Sequence, residues 1–209
     1  MKGNKKEKIL EAAAIHFARR GYANASLEEI AADAGVTKPA IYYHFKDKAA
    51  LYESVLCSRL ERLADAVGQA VEAHEAVEKR VKAYIESFGA FLAAHRCFAA
   101  MLSHEFADNG RNLSDDATRQ LSRTLGLVTR LIDEGVKRGV FEIENPMVVQ
   151  MMIVSTLINH QTTRTLRKRV ATQAAKELGG VALRPEPDMN DLSKILAKKI
   201  LKLIRKERP

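Results

Sequence analysis

Apolar positions return every third or fourth residue along almost the whole chain, the period of helices buried on one side, and no alternating strand pattern persists. Over residues 5–20 the stripe is Ile9, Leu10, Ala13 and Phe17, with Gly21 placed to stop the helix. Ser26 followed by Glu29 reads as a capping box, the hydroxyl accepting from the Glu29 amide and the carboxylate returning to the cap's own amide. A short helix therefore starts at Leu27, and Gly35 supplies the left-handed residue that ends it. Thr37 is placed to cap a third helix over about 38–45, in whose first turn Pro39 is tolerated because no intrahelical acceptor waits for its missing N–H.

Asp47 caps a fourth helix running to about Ala73, with Tyr52, Leu56, Leu60, Leu63, Val67 and Val71 along one side. Further helices are predicted over 77–94 (Val81, Tyr84, Ile85, Phe88, Phe91, Leu92), 96–108 (Phe98, Met101, Leu102, Phe106) and from Leu113 or Ser114 to about 138 (Leu121, Leu125, Val128, Leu131, Ile132, Val136), the last closed by Gly139. Asn145 and Pro146 open the next, uncharged to Thr163 and apolar nearly all round, which calls for cover on more than one side. A polar helix spans 164–178 and ends at Gly179 and Gly180. An extended linker follows at Arg184–Pro187, and a last helix is capped by Asn190 or Asp191 with Leu192, Ile195, Leu196, Ile200, Leu203 and Ile204 inward. The fold class is all-α: a three-helix head at the amino end and a larger helical body.

In the third helix, about 100° per residue puts Ile41 and Phe45 on one side and Pro39, Ala40 and Tyr43 on the other, flanked by Tyr42 and His44. Two adjacent tyrosines on so short a helix call for something flat or anionic to cover them. Helix, glycine turn, then a helix bearing lysine, tyrosines and histidine is a helix-turn-helix layout, whose second helix enters a major groove.

The run Gly-Val-Thr-Lys-Pro-Ala-Ile-Tyr-Tyr-His-Phe-Lys-Asp-Lys-Ala-Ala-Leu at 35–51 resembles the signature of the tetracycline-repressor (TetR) family of transcriptional regulators. Ile9-Leu10-Glu11-Ala12-Ala13, Phe17, Gly21-Tyr22 and Ser26-Leu27-Glu28-Glu29-Ile30-Ala31 resemble its first two helices in order and spacing. The resemblance implies a DNA-binding domain over 1–48 and a ligand-binding and dimerisation domain over 49–209, coupled by the fourth helix. Ser26, Thr37 and Lys48 then fall at phosphate-contacting positions, and Lys38, Pro39, Ala40, Tyr42, Tyr43 and His44 at groove-facing ones. Glu28 stands where the tetracycline repressor has a base-reading arginine, so no operator sequence carries over. Asp133–Phe141 followed by Asn145-Pro146 also resembles the family's body, and the two helices around it are expected to form a four-helix dimer interface. The implied partners are a roughly palindromic double-stranded operator, a second copy of the chain and a small effector, with repression the family's usual outcome.

The formal net charge of +8 suits a polyanionic partner but does not locate it. Residues 1–50 carry nine Lys/Arg against six Asp/Glu, whereas residues 189–209 carry seven against two, so most of the excess lies outside the expected head. The lysine-rich side of the last helix reads as a solvated face, and the basic start (Lys2, Lys5, Lys6, Lys8) as a frayed terminus. Cys57 and Cys97 lack the spacing of a disulfide framework or zinc site, which fits a reducing cytoplasm. The uncharged stretch 145–163 is broken by Asn145, Gln150, Asn159, His160 and Gln161, so it reads as a helix buried in protein and not in lipid.

Tyr84, Phe88, Met101, His104, Met151 and His160 are candidates for an effector pocket with an apolar lining and sparse hydrogen bonding, which suits an apolar or amphipathic molecule. An enzymatic alternative rests on His104 and Asp108 one turn apart with His95 and Glu105 nearby, but the chain lacks a His-Glu-x-x-His pattern, a nucleophile elbow and a phosphate-cradling loop. A ligand-independent architectural DNA-binding protein leaves the long body unexplained. No catalytic residue, cofactor or metal site is assigned.

Overall fold

The computed structural model describes residues 5–143, 145–177 and 185–206. They form ten helices: α1 Lys5–Asn24, α2 Leu27–Asp33, α3 Lys38–His44, α4 Lys48–Glu72, α5 Val77–Ala94, α6 Arg96–Ala107, α7 Asp115–Lys137, α8 Pro146–Thr162, α9 Arg164–Glu177 and α10 Met189–Ile204. No strand occurs among the described residues, only one isolated bridge between Phe141 and Arg205. The predicted end of α9 at Gly179 and Gly180, and Arg184 of the linker, lie outside the described residues. By its contacts the chain divides into two units, Met1–Asp65 with Cys97–Thr124, and Ala66–Arg96 with Leu125–Pro209. The expected boundary at 48 falls inside the first of these.

The first unit is built on α1, whose Ile9, Ala13 and Phe17 are buried with Ile30 of α2, Ile41 of α3 and Leu51 and Tyr52 of α4. Gly21 interrupts α1 at φ 70°, so the regular helix stops where the sequence places its end, and a further turn carries on to Asn24. Asp47 caps α4, its carboxylate accepting from the Ala50 amide at 2.8 Å. The Tyr52 ring meets Phe17 edge-on at 4.7 Å and Tyr22 at 5.0 Å. Its hydroxyl donates to Glu105 of α6 at 2.5 Å. Glu105 is only 1% exposed and also accepts from the Asn112 backbone and side-chain amides at 3.3 and 3.2 Å, so its burial is matched by hydrogen-bond donors. Burial, then the bond to Glu105, pushes the Tyr52 phenol well above its usual value.

The second unit packs α10 between α5 and α8. Close approach of α5 and α10 depends on Gly89, where a Cβ would stand 2.7 Å from Cβ of Ser193. The buried face of α10 is therefore Met189, Ser193, Ala197, Ile200 and Ile204, whereas Ile195 and Leu203, expected inward, are exposed. Its cap is Asp188 and not Asn190 or Asp191: the Asp188 carboxylate accepts from the Asp191 amide at 2.9 Å and lets Met189 enter the core. In α7 the seat expected for Val136 belongs to Gly135, because Phe141 folds back onto it and a Cβ there would lie 1.9 Å from the ring; Val136 is exposed. The segment after α7 is tied to the end of α10 by Glu142 N–H to the Ile204 carbonyl (2.8 Å) and Lys206 N–H to the Val140 carbonyl (3.0 Å). Asn145 caps α8 as expected, accepting from the Met147 amide at 2.9 Å. In α6, Phe106 is exposed while Glu105 takes the inward place.

Candidate nucleic-acid interface

Two pairs fix α2 against α1: Arg20 with Glu29, and the His16 imidazole N–H donating to Asp33 at 2.7 Å. The capping box at Ser26 is half formed. Its Oγ accepts from the Glu29 amide at 3.5 Å, but the Glu29 carboxylate is drawn away to Arg20, and the hydroxyl gives its own proton to Glu28 at 2.9 Å. Gly35, at φ 66°, turns the chain, with its N–H on the Ala32 carbonyl at 3.1 Å and the Val36 N–H on that of Ala31 at 2.9 Å. Thr37 occupies the cap position of α3 without making the side-chain bond expected of it, so its hydroxyl stays free of the helix and exposed.

On α3, Ile41 and Phe45 are buried, 0 and 4% exposed, and hold the helix to the unit. The other side carries Tyr43, 86% exposed, and Tyr42, 48% exposed, with Pro39 exposed and Ala40 and His44 half-buried. Tyr43 and His44 rings meet edge-on at 5.0 Å. Exposing two tyrosines on a helix of seven residues, with the packing side fully used, leaves a flat, hydrogen-bonding surface free for a partner.

Lys38 is not free in this state. Its ammonium donates to Glu28 of α2 and lies 5.9 Å from the Tyr42 ring centre. The Lys38 ammonium, then a backbone amide and the Ser26 hydroxyl, hold the Glu28 carboxyl down at about 2, and the same pairing raises Lys38 above its usual value. Lys48 donates to the Ala23 carbonyl at 2.9 Å and sits 5.0 Å from the Tyr22 ring, and partial burial lowers it. Sequence reading identified Glu28 as a departure without finding its partner; ten residues separate it from Lys38, and only the turn at Gly35 brings them together.

The effector candidates divide between the units. Tyr84 and Phe88 of α5 are buried in the second unit, ring centres 6.1 Å apart. The Tyr84 hydroxyl is buried with no hydrogen-bond partner among the described residues, and burial pushes it well above the usual phenol value. His160, half-buried on α8, accepts from Arg167 at 3.1 Å, and Arg167 also grips Glu186 through Nε at 2.9 Å. Met151 is 59% exposed. Met101 is buried in the first unit, where exposed His104 donates to the Ala18 carbonyl at 3.2 Å. No group of three His, Cys, Asp or Glu fit to hold a metal occurs among the described residues, and none of their helices is long and apolar enough to cross a membrane.

Residues 9–55 match the family described as bacterial regulatory proteins, tetR family. The transcriptional activator FasR of Mycolicibacterium smegmatis is 39% identical over 84 residues, which span 40% of this chain but only 38% of that relative's length. The solved fatty acid degradation regulator FadR of Bacillus halodurans superposes with a TM-score of 0.72 at 24% identity, covering 96% of each chain. FadR of Bacillus subtilis, solved in complex with stearoyl-CoA, gives 0.71 at 19% identity over 93% of this chain and 97% of the other.

Proposed function

We propose that this chain, a member of the TetR family of bacterial regulatory proteins, is a homodimeric repressor released from a palindromic operator by a small apolar or amphipathic effector. One observation carries the DNA-reading role: the outward side of α3, where Tyr42 and Tyr43 stand exposed opposite buried Ile41 and Phe45. Residues 1–48 form the DNA-binding head. Lys38, once exchanged from Glu28 to a guanine acceptor, and the edges of Ala40, Tyr42, Tyr43 and His44 read bases, with Pro39 at the same surface. Ser26, Thr37 and Lys48 hold phosphates. Two such helices address major grooves about 34–36 Å apart.

The unpartnered Tyr84 hydroxyl supports an effector site in residues 49–209, since a buried phenol with no acceptor is what a ligand's polar atom would complete beside the Phe88 ring. The stearoyl-CoA held by the B. subtilis structure makes long-chain acyl thioesters the first compounds to test. Dimerisation uses α8, whose Val148, Met151 and Met152 are exposed, and α10, which packs on α8 and exposes Leu203. The part of α7 in the second unit shows Arg130, Asp133 and Lys137 outward, with Val136 its one exposed apolar side chain, so in this reading α10 takes its place in the four-helix interface and Met151 serves the dimer. Effector and operator oppose each other by linkage.

The test is to sequence genomic fragments retained by the purified protein. An enriched inverted repeat, released by acyl-CoA, is the expected result, and fragments without a shared motif would refute the reading.

A further inference from the structure

A groove of about 1430 Å³ lined mainly by charged side chains lies in the second unit, walled by α5 and α10 and closed by residues 139–140. Along α5 it is lined by Glu78, Lys82 and Glu86, and along α10 by Lys194, Lys198, Leu201, Lys202 and Arg205, with Lys206 beyond. Both series step by four residues, so each helix turns one continuous row into the groove, with successive lysines of α10 about 6 Å apart. The carboxylates are already engaged: Arg205 lies 3.5 Å from Glu78 and Lys82 lies 3.8 Å from Glu86. Lys198 and Lys202 are exposed and have no carboxylate partner among the described residues. The end wall is a built one, since backbone bonds from Glu142 and Lys206 fix the 139–143 segment to the end of α10.

The geometry points to this groove as a binding site for a nucleoside polyphosphate, separate from the effector and operator sites. Unneutralised lysines spaced along one wall meet a chain of phosphates. Leu201 and Val140, both half-buried, offer apolar surface to a base, and the carboxylates of Glu78 and Glu86 can accept from sugar hydroxyls. A DNA duplex fits less well, because those two carboxylates would face its unbroken phosphate ladder. On α10, Leu192, Leu196 and Leu203 lie on the flank away from the groove lysines, so the groove and the proposed dimer face do not compete.

The probe is ATP carrying a fluorescent substituent on its terminal phosphate, with both ribose hydroxyls free, titrated against the full chain by anisotropy, with DNA binding measured in parallel. Saturable binding that weakens with salt is expected, at least tenfold weaker in the Lys198→Glu/Lys202→Glu double variant, while operator affinity stays within twofold. Glu86→Gln is expected to tighten binding, an outcome that misfolding cannot imitate. Unlabelled ATP should displace the probe better than tripolyphosphate, and adenosine should not displace it. No saturable binding, equal binding by the double variant, or tripolyphosphate matching ATP would overturn the assignment. So would a double variant whose only loss is in binding duplex DNA.

Discussion

Replacing Tyr84 by Phe removes one oxygen from a site that is 0% exposed and offers that oxygen no partner among the described residues. In the free protein the hydroxyl has left water without compensation, a situation that costs about 1–3 kcal/mol. The ring and its contact with Phe88 at 6.1 Å remain, so no cavity of methyl size opens. Tyr84→Phe is therefore expected to stabilise the free chain by up to that amount, roughly 2–4 °C in Tm per kcal/mol for a chain of this length. Urea unfolding at one fixed protein concentration reads it, the midpoint rising with an unchanged slope. With effector present the sign should reverse, because the variant lacks the group that completes the ligand's hydrogen bond, and more effector should be needed to release DNA. An unfolding free energy that falls by about 1 kcal/mol or more in the free protein would show that the hydroxyl is paired, and the effector argument built on it would be lost.

Gly135→Ala places a Cβ 1.9 Å from the Phe141 ring and is expected to cost at least about 1–3 kcal/mol in urea unfolding, whereas Gly68→Ala, with nothing within 4 Å, should stabilise α4 by about 0.5–1 kcal/mol. Equal effects at the two sites would refute the packing described for Phe141. Glu28→Gln releases Lys38 and removes a carboxylate from the reading side, so affinity for unselected DNA should rise and fall more steeply with salt in filter-binding titrations; unchanged affinity would mean the pair plays no part. Burial and then Arg167 lower His160 below its usual value, so the fold prefers the neutral ring. Its contribution is complete above the unfolded value near 6.5 and is lost as pH falls through the folded one. His160→Gln should flatten that part of the stability–pH curve, and an unaltered curve would remove His160 as its cause.

The sequence was most legible where one long helix carries its own period. Tyr52, Leu56, Leu60, Leu63, Val67 and Val71 are all buried, because twenty-five residues of α4 leave no freedom in which side faces in. Local caps at Asp47 and Asn145 were equally readable, since each needs only its own next three residues. Errors arose where a small residue decides the contact. Periodicity treats Gly89, Ser193 and Gly135 as neutral, yet their lack of bulk draws α10 and Phe141 in and turns Ile195, Leu203 and Val136 out. Caps also failed where a charged neighbour from another helix competed, as Arg20 does for Glu29. At the reading surface the two sides of α3 followed from seven residues of geometry, but the Lys38–Glu28 pair depends on how the turn closes. The charged groove residues step by four along α5 (Glu78, Lys82, Glu86) and along α10 (Lys194, Lys198, Lys202), and what the sequence lacked was any sign that the two rows face each other.

The most direct measurement is the affinity of the selected operator for wild-type protein and for Lys38→Ala and Tyr42→Ala, by anisotropy at fixed salt with the unfolding midpoint recorded alongside. Each variant should lose about 1–3 kcal/mol, roughly 5- to 150-fold in Kd, with the midpoint unmoved. Wild-type affinity in both variants would contradict the account at its centre, because the outward side of α3 would then not be the surface that meets DNA.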